Sequence, residues 1–332
     1  MLRVYHSNET HLTCTELDVA HATKADAEGG LWFDLINPGQ HEDHFVEQIL
    51  GISIPTKEEA GDIEMSSRLY HEDGAEFMTM TGVTQLESDA PGTTPITFIL
   101  KGEHLVTVRY AQPSPFYTYA TRAQKPGTLP CTQGEQIMLG IVEALIQRMA
   151  EALEKIGAGF ELLSRLVFRH KSAKGKMTKT HDFQDIIQQI GAKGDLLAMV
   201  RESLLSLNRL LSYHTARDRA ANGLNKDAVA WVRDMQQDVV SLSDHANFLS
   251  NKASFLLDAT LGLINLEQSQ IIKIFSIAAV CLMPPTLVAS IYGMNFEYMP
   301  ELKWLLGYPW AVSAMIITAI IPFYYFKKRG WL

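Results

Sequence analysis

Two uncharged runs close this chain, Ile274 to Phe296 and Trp304 to Phe326, each about 23 residues long. A helix rises ~1.5 Å per residue, so either run is long enough to cross a hydrocarbon core of ~30 Å. The sequence upstream of them is polar enough to stay in water. The layout predicts a large aqueous part on a two-span anchor, with Tyr292-Gly293-Met294-Asn295 in the short loop between the spans.

The apolar fraction of 47 % is ordinary for a globular protein, so the membrane reading rests on where the apolar residues fall. Met1-Leu2-Arg3-Val4-Tyr5-His6 has no apolar stretch followed by a cleavage site, and no signal peptide is expected there. Cys14, Cys131 and Cys281 are odd in number and far apart, which predicts no cysteine metal site and a reducing compartment. A net charge of −8 argues against a nucleic-acid partner. Basic residues stay on the cytoplasmic side of a span. Lys273 precedes the first run and Lys327, Lys328 and Arg329 follow the second, whereas the loop holds Glu297, Glu301 and one Lys303. Both termini are therefore expected in the cytoplasm, on the inner face of the plasma (cell inner) membrane.

The fold class expected is an α+β cytoplasmic domain with long helices, followed by two C-terminal transmembrane helices. Leu31 to Ile36 reads as a short strand ending at the turn Asn37-Pro38-Gly39. Phe77 to Val83 reads as another strand, and Ile96–Leu100 and Leu105–Tyr110 as a hairpin around Lys101-Gly102-Glu103-His104. Pro55-Thr56-Lys57-Glu58-Glu59 has the signature of a helix start, with Thr56 as cap and Glu59 three residues on. No proline occurs between Pro130 and Pro284, and apolar residues recur at helical spacing. That predicts helices over Gly134–Phe168 and His181–Ala216, then one unbroken helix from about Asn225 to Tyr292. The domains expected are 1–130, the α/β part; 131–270, the long helices and stalk; and 271–332, the two-span pore part. The basic stretch Arg169-His170-Lys171-Ser172-Ala173-Lys174-Gly175-Lys176 is either an anion-binding patch or a solvated helix turn.

One stripe of the last long helix is chemically distinct. Asp258, Gly262, Asn265, Ser269, Ile272, Ser276, Ala279, Met283, Thr286 and Ser290 follow one another at alternating steps of four and three, a heptad seam. The seam is small or polar almost throughout, while Phe275, Leu282, Leu287 and Val288 lie off it. Such a stripe suits either a water-lined conduit or close packing of helices. Two spans cannot enclose a conduit, so the first reading requires several copies around an axis. Pro284-Pro285 lies on this wall and frees the carbonyls of Val280 and Cys281, which leaves either a plain kink or carbonyls facing water or an ion.

The stretch Tyr292-Gly293-Met294-Asn295-Phe296-Glu297-Tyr298-Met299-Pro300-Glu301-Leu302 resembles the signature loop of the CorA family of magnesium channels. The resemblance extends to Met283-Pro284 with Thr286, to Trp231-Val232-Arg233-Asp234, and to the ending Tyr325-Phe326-Lys327-Lys328-Arg329-Gly330-Trp331-Leu332. It implies a funnel-shaped homopentamer in the lipid bilayer, with Mg²⁺ (or Co²⁺ or Ni²⁺) as substrate, Mg²⁺ also as regulatory ligand, and no organic cofactor. It implies that Gly293, Met294 and Asn295 form the pore mouth, with Asn295 amides meeting a hydrated cation. Mg²⁺ holds its six waters tightly, and neutral oxygens recognise those waters without stripping them. Glu297 and Glu301 would raise the local cation concentration. Asn295, Thr286, Met283, Ser269 and Asp258 become pore positions, and Asp62 and Asp234 an intersubunit Mg²⁺ sensor. Gly61 stands where the family often has an acid, and the tip near His170 is basic where the family is often acid-rich.

A ZntB-like zinc transporter of the same fold is the alternative, with a membrane-anchored scaffold behind it. Met294 in the loop favours magnesium. His41, His44, His181, His214 and His245 are read as surface residues rather than zinc ligands. No nucleophile constellation, phosphate-binding glycine loop or metal motif predicts an enzyme.

Overall fold

The structure, a computed structural model, describes the chain apart from residues 9–10, 63, 65–67, 87, 89, 127–131, 170–179, 222–225, 296–298 and 332. Some helix-end side chains, Glu301 and His181 among them, also lie outside the described residues. Two compact units emerge, residues 1–174 with 185–256, and residues 175–184 with 257–332.

The first unit is built on a seven-stranded sheet. Its strands are β1 (Leu2–Asn8), β2 (His11–Leu17), β3 (Gly30–Ile36), β4 (Leu69–Glu72), β5 (Ala75–Thr84), β6 (Gly92–Lys101) and β7 (His104–Arg109), in the order β2-β1-β3-β7-β6-β5-β4. Every pairing is antiparallel except β3 with β7, which run parallel from Trp32↔Leu105 to Ile36↔Arg109. A strand covered on both faces reads as a continuous apolar run. That accounts for Gly-Leu-Trp-Phe-Asp-Leu-Ile in β3, where every residue is buried. β6 and β7 pair up to Lys101↔His104 across Gly102-Glu103, and Gly102 takes the left-handed conformation at φ 58° that a tight hairpin demands.

Helix α1 (Gln40–Leu50) and the short α2 (Lys57–Gly61) accompany one core, in which Leu2, Val4, Phe33, Leu35, Val46, Ile52, Ile54, Phe77, Ile99, Val106 and Val108 are buried together. Thr56 and Glu59 form the capping box: Glu59 N–H donates to Thr56 Oγ1 at 3.3 Å, and Thr56 N–H to Glu59 Oε2 at 2.8 Å. Those donors hold the Glu59 carboxyl below its usual range. Helix α3 (Ser114–Ala123) brings Phe116 and Tyr119 against Trp32, with ring centroids 6.5 and 6.1 Å away. Helix α4 (Gly134–Arg169) starts on the β6–β7 hairpin, where Gly134 N–H donates to Glu103 O at 2.7 Å. A Cβ at Gly134 would stand 2.5 Å from Leu105 N, so only glycine lets the helix dock there.

Asp34 on β3 carries the one charge in that strand, and it is fully paired. Arg109 Nε and a terminal nitrogen donate to its two oxygens at 2.9 and 2.7 Å, and Thr107 Oγ1 donates to it at 2.8 Å. Trp32 Nε1 donates in turn to Thr107 Oγ1 at 2.8 Å, and the Arg109 guanidinium lies 4.6 Å from the Phe116 ring centre. Buried charge is tolerated only with such complete pairing.

Helix α5 (Thr180–Ala221) runs along β5: Thr81 N–H donates to Ser206 Oγ at 3.0 Å. It also carries His214, which corrects the surface reading of that residue. His214 is 2 % exposed, with Nδ1 3.4 Å from Glu76 Oε2 and Nε2 3.1 Å from Glu135 Oε1. The two nitrogens point to different carboxylates, so the trio ties strand, α4 and α5 together rather than converging on a metal. His41, His44 and His245 are exposed as expected.

Helix α6 (Lys226–Tyr292) is unbroken over 67 residues, through Pro284 and Pro285. In the second unit a 3₁₀ turn over Pro300–Lys303 precedes helix α7 (Gly307–Lys328). This helix starts three residues after the uncharged run does. Its first turn accepts Pro309, which has no N–H to lose there.

Candidate ion-conduction stripe and sensor residues

All ten seam residues of α6, from Asp258 to Ser290, are exposed in the single chain. So are the bulky residues beside them, with Phe275 72 %, Leu282 66 % and Leu287 62 % exposed. Only 6 % of the most apolar window of α6 is buried inside the chain, and α7 has the same share. The helix thus presents one stripe suited to water and flanks suited to lipid. Among the described residues, little of either is covered by the chain itself.

Met283 is 68 % exposed and is the bulkiest unbranched side chain on the seam. Thr286, one turn on, folds its hydroxyl back onto its own helix and donates to Met283 O at 3.0 Å. Threonine in a helix commonly satisfies itself this way. Beyond Ser290 the helix closes with Gly293 N–H donating to Ala289 O at 2.9 Å and Met294 N–H to Ile291 O at 3.3 Å. A Cβ on Gly293 would stand 3.1 Å from Ala289 O, a tight contact at the turn into the loop. Met294 and Asn295 follow, both exposed. Glu297 lies outside the described residues, as does the Glu301 side chain. Trp310 is a residue the sequence pattern did not single out: its ring meets that of Tyr292 edge-on at 6.4 Å, bracing the loop from the first turn of α7. An aromatic residue just inside a span is the one signal that pointed to it.

The two candidate sensor residues sit on separate elements of the first unit. Asp62 caps the C-terminus of α2, its N–H donating to Glu59 O at 3.2 Å and its carbonyl accepting from Arg68 Nε. Its carboxylate is exposed. Asp234 is exposed on α6, between the buried Val232 and Met235. Among the described residues no three His, Cys, Asp or Glu side chains gather into a metal cluster.

An α/β unit, a long helix ending in an apolar stretch and a second apolar helix, both long and apolar enough to cross a membrane, are what a two-span membrane protein presents. The chain belongs to the CorA-like Mg²⁺ transporter family, whose model matches residues 27–328. That is a family of transporters, not enzymes. Over its full length, and over all of the relative's, the chain is 33 % identical to the magnesium transport protein CorA of Pectobacterium atrosepticum. It is 32 % identical to the protein of that name from Escherichia coli K12, again over 100 % of both. Among solved structures, the CorA magnesium transporter of Methanocaldococcus jannaschii superposes with a TM-score of 0.75 at 18 % identity, over 100 % of this chain and 99 % of that one. The cytoplasmic domain of ZntB from Vibrio parahaemolyticus matches 79 % of this chain and 97 % of its own, with a TM-score of 0.56 at 9 % identity, a likeness of fold alone.

Proposed function

We propose that this chain is one subunit of a homopentameric channel that admits Mg²⁺ to the cytoplasm down its electrochemical gradient. The observation that carries the reading is the exposed seam from Asp258 to Ser290, which ends at the Gly293-Met294-Asn295 loop. A polar stripe on a lipid-embedded helix needs water or a partner, and copies of itself arranged about an axis supply both. The names of the full-length relatives supply the ion. In this reading residues 271–332 form the pore part, 131–270 the long helices and stalk, and 1–130 the α/β part. The basic flank Lys327-Lys328-Arg329 supports termini on the cytoplasmic side of the inner membrane.

Each residue then has a task. Asn295 presents amide oxygens to the waters of the incoming ion. Asn265, Ser269, Ser276, Thr286 and Ser290 wet the wall, while Ile272 and Met283 narrow it with apolar rings that block ions by dewetting. Glu297 and Glu301 concentrate cations at the mouth, and Asp258 lies at the inner end. Asp62 of one subunit and Asp234 of the next hold a cytoplasmic Mg²⁺, which relieves the repulsion of two facing carboxylates. By binding the closed arrangement better, that ion lowers flux when internal Mg²⁺ is ample.

The test is Mg²⁺ influx into proteoliposomes carrying the full chain, compared with Asn295→Ala. Influx should fall at least ten-fold in the variant while the oligomer stays assembled on size-exclusion chromatography. Wild-type influx in Asn295→Ala sinks the assignment. Co²⁺, Ni²⁺ and Zn²⁺ run in the same assay, with and without a proton gradient, separate this reading from a zinc transporter.

A further inference from the structure

The seam does not stop at Asp258. Stepping back along α6 by three and four in the same alternation gives Phe255, Asn251, Phe248, Asp244, Ser241, Gln237 and Asp234. Every one of them is exposed. The residues two places earlier at each step include Val232, Met235, Val239, Ala246, Leu249 and Leu256, and all six are buried. Two residues are about 200° on a helix, so one face of α6 packs into its own unit and the nearly opposite face is left free. Along the sequence that free face keeps the same four-and-three spacing as the candidate pore wall.

Its chemistry changes along the way. Phe248 and Phe255 are 61 % and 60 % exposed, and they interrupt a row of carboxylates and amides between Asp244 and Asp258. An aromatic side chain with its face to water is unfavourable unless something covers it. Phe255 is also held: its ring stacks on Phe168, near the end of α4, with centroids 6.0 Å apart and planes 25° from parallel. Phe248 stacks on His245 at 6.2 Å.

We propose that Phe248 and Phe255 form two apolar rings in a cytoplasmic extension of the ion path, and that Phe168 is the positioning residue that sets the aperture at Phe255. The inference rests on the pore reading above. Copies of α6 meeting about the seam axis bring these rings together just inside Asp258. A hydrated cation leaving Asp258 must then pass two rings at which no side-chain oxygen replaces its outer waters, with the Asn251 amides between them. Such a ring slows ions in proportion to how narrow and dry it is. The stack on Phe168 draws the Phe255 ring toward α4, so α4 and conduction are mechanically joined.

The experiment uses the full chain in proteoliposomes, with Mg²⁺ influx read by a trapped fluorescent indicator. Phe255→Ala should raise influx about three-fold or more, and Phe255→Trp should lower it. Phe168→Ala should change influx in the same direction as Phe255→Trp, by releasing the ring inward, and Phe168→Tyr should restore it. In a background with Cys14, Cys131 and Cys281 replaced by Ser, Phe248→Cys and Phe255→Cys should react with a positively charged thiol reagent and lose influx. Val240→Cys, exposed but off the seam, should react without loss. Phe255→Ala within two-fold of wild type, or modification of Phe255→Cys with influx intact, overturns the proposal. The pore reading fails separately, if the unaltered protein gives no influx or Asn295→Ala conducts as well as it does.

Discussion

The two units of this chain solve the problem of burial in opposite ways. In the first, apolar side chains turn inward, and even the charges of Asp34 and Arg109 are paired out of water. In the second, large apolar residues turn outward, and the polar positions line a stripe that the chain leaves open. One unit carries its core within itself. The other leaves most of its apolar side chains exposed in the single chain, and in the proposed channel lipid and copies of the chain would cover them. Substitutions should therefore separate cleanly: those in the sheet should act on stability, and those on the seam on conduction.

The sharpest way to break that contrast is Asp34→Ala. It leaves the Arg109 guanidinium buried without its counter-charge, which costs about 3–5 kcal/mol. Urea unfolding followed by tryptophan fluorescence should show a large drop in midpoint, while influx per assembled oligomer stays near wild type. A loss of influx in the folded oligomer would mean that the sheet acts on the pore directly.

On the other side of the contrast, Met283→Ser removes an apolar ring from the seam. It should raise resting leak about ten-fold in bilayer recordings, with the thermal unfolding of the first unit unchanged. Leak at or below the wild-type level would show that no constriction lies there.

The seam was legible before any coordinates because helical periodicity is local, and the long helices because no proline interrupts 131–283. The first hairpin was not. β2 buries only Leu12 of its seven residues, so an exposed edge strand leaves almost no alternation to read. The Asp34–Arg109 pair was hidden for another reason: its partners are 75 residues apart and meet only through the parallel β3–β7 pairing. His214 was misread because nothing beside it in sequence signals the carboxylates of Glu76 and Glu135. For Asp62 and Asp234 only the local settings can be read, one at the end of α2 and the other exposed on α6, and neither bears on whether the two act together.

A subtler probe lies on the first unit alone. Replacing Asp62 and Asp234 together with Asn removes the repulsion that a cytoplasmic ion would relieve. Inhibition by internal Mg²⁺ should then need a several-fold higher concentration in patch recordings, with little change in stability. Unchanged inhibition would place the sensor elsewhere.

The smallest effect concerns Asp43 on α1. Burial, together with Glu47 and Glu42 nearby, pushes its carboxyl up to about 6, and Oδ1 is buried with no hydrogen-bond partner among the described residues. An unfolded aspartate ionises near ~3.9, so the folded state holds the extra proton between about pH 4 and 6. Stability therefore falls as pH rises through that window and stays lower above it. Asp43→Asn should raise Tm at pH 7 by roughly 1–3 °C, allowing for solvent screening, and flatten that slope. A wild-type slope in the variant would assign the pH dependence to another group.

The parallel pairing of β3 with β7 also sets a clock for the nascent chain. β1, β2 and β3 form one antiparallel set, and β4 to β7 another, welded only between Trp32↔Leu105 and Ile36↔Arg109. The first set leaves the ribosome with the apolar β3 edge unpaired until Arg109 follows. At ~5–20 residues per second that exposure lasts on the order of several seconds. An unprotected edge of Leu, Trp, Phe and Ile invites pairing with the same segment of another chain. The hazard arises before the first apolar run, which begins at Ile274, has been translated.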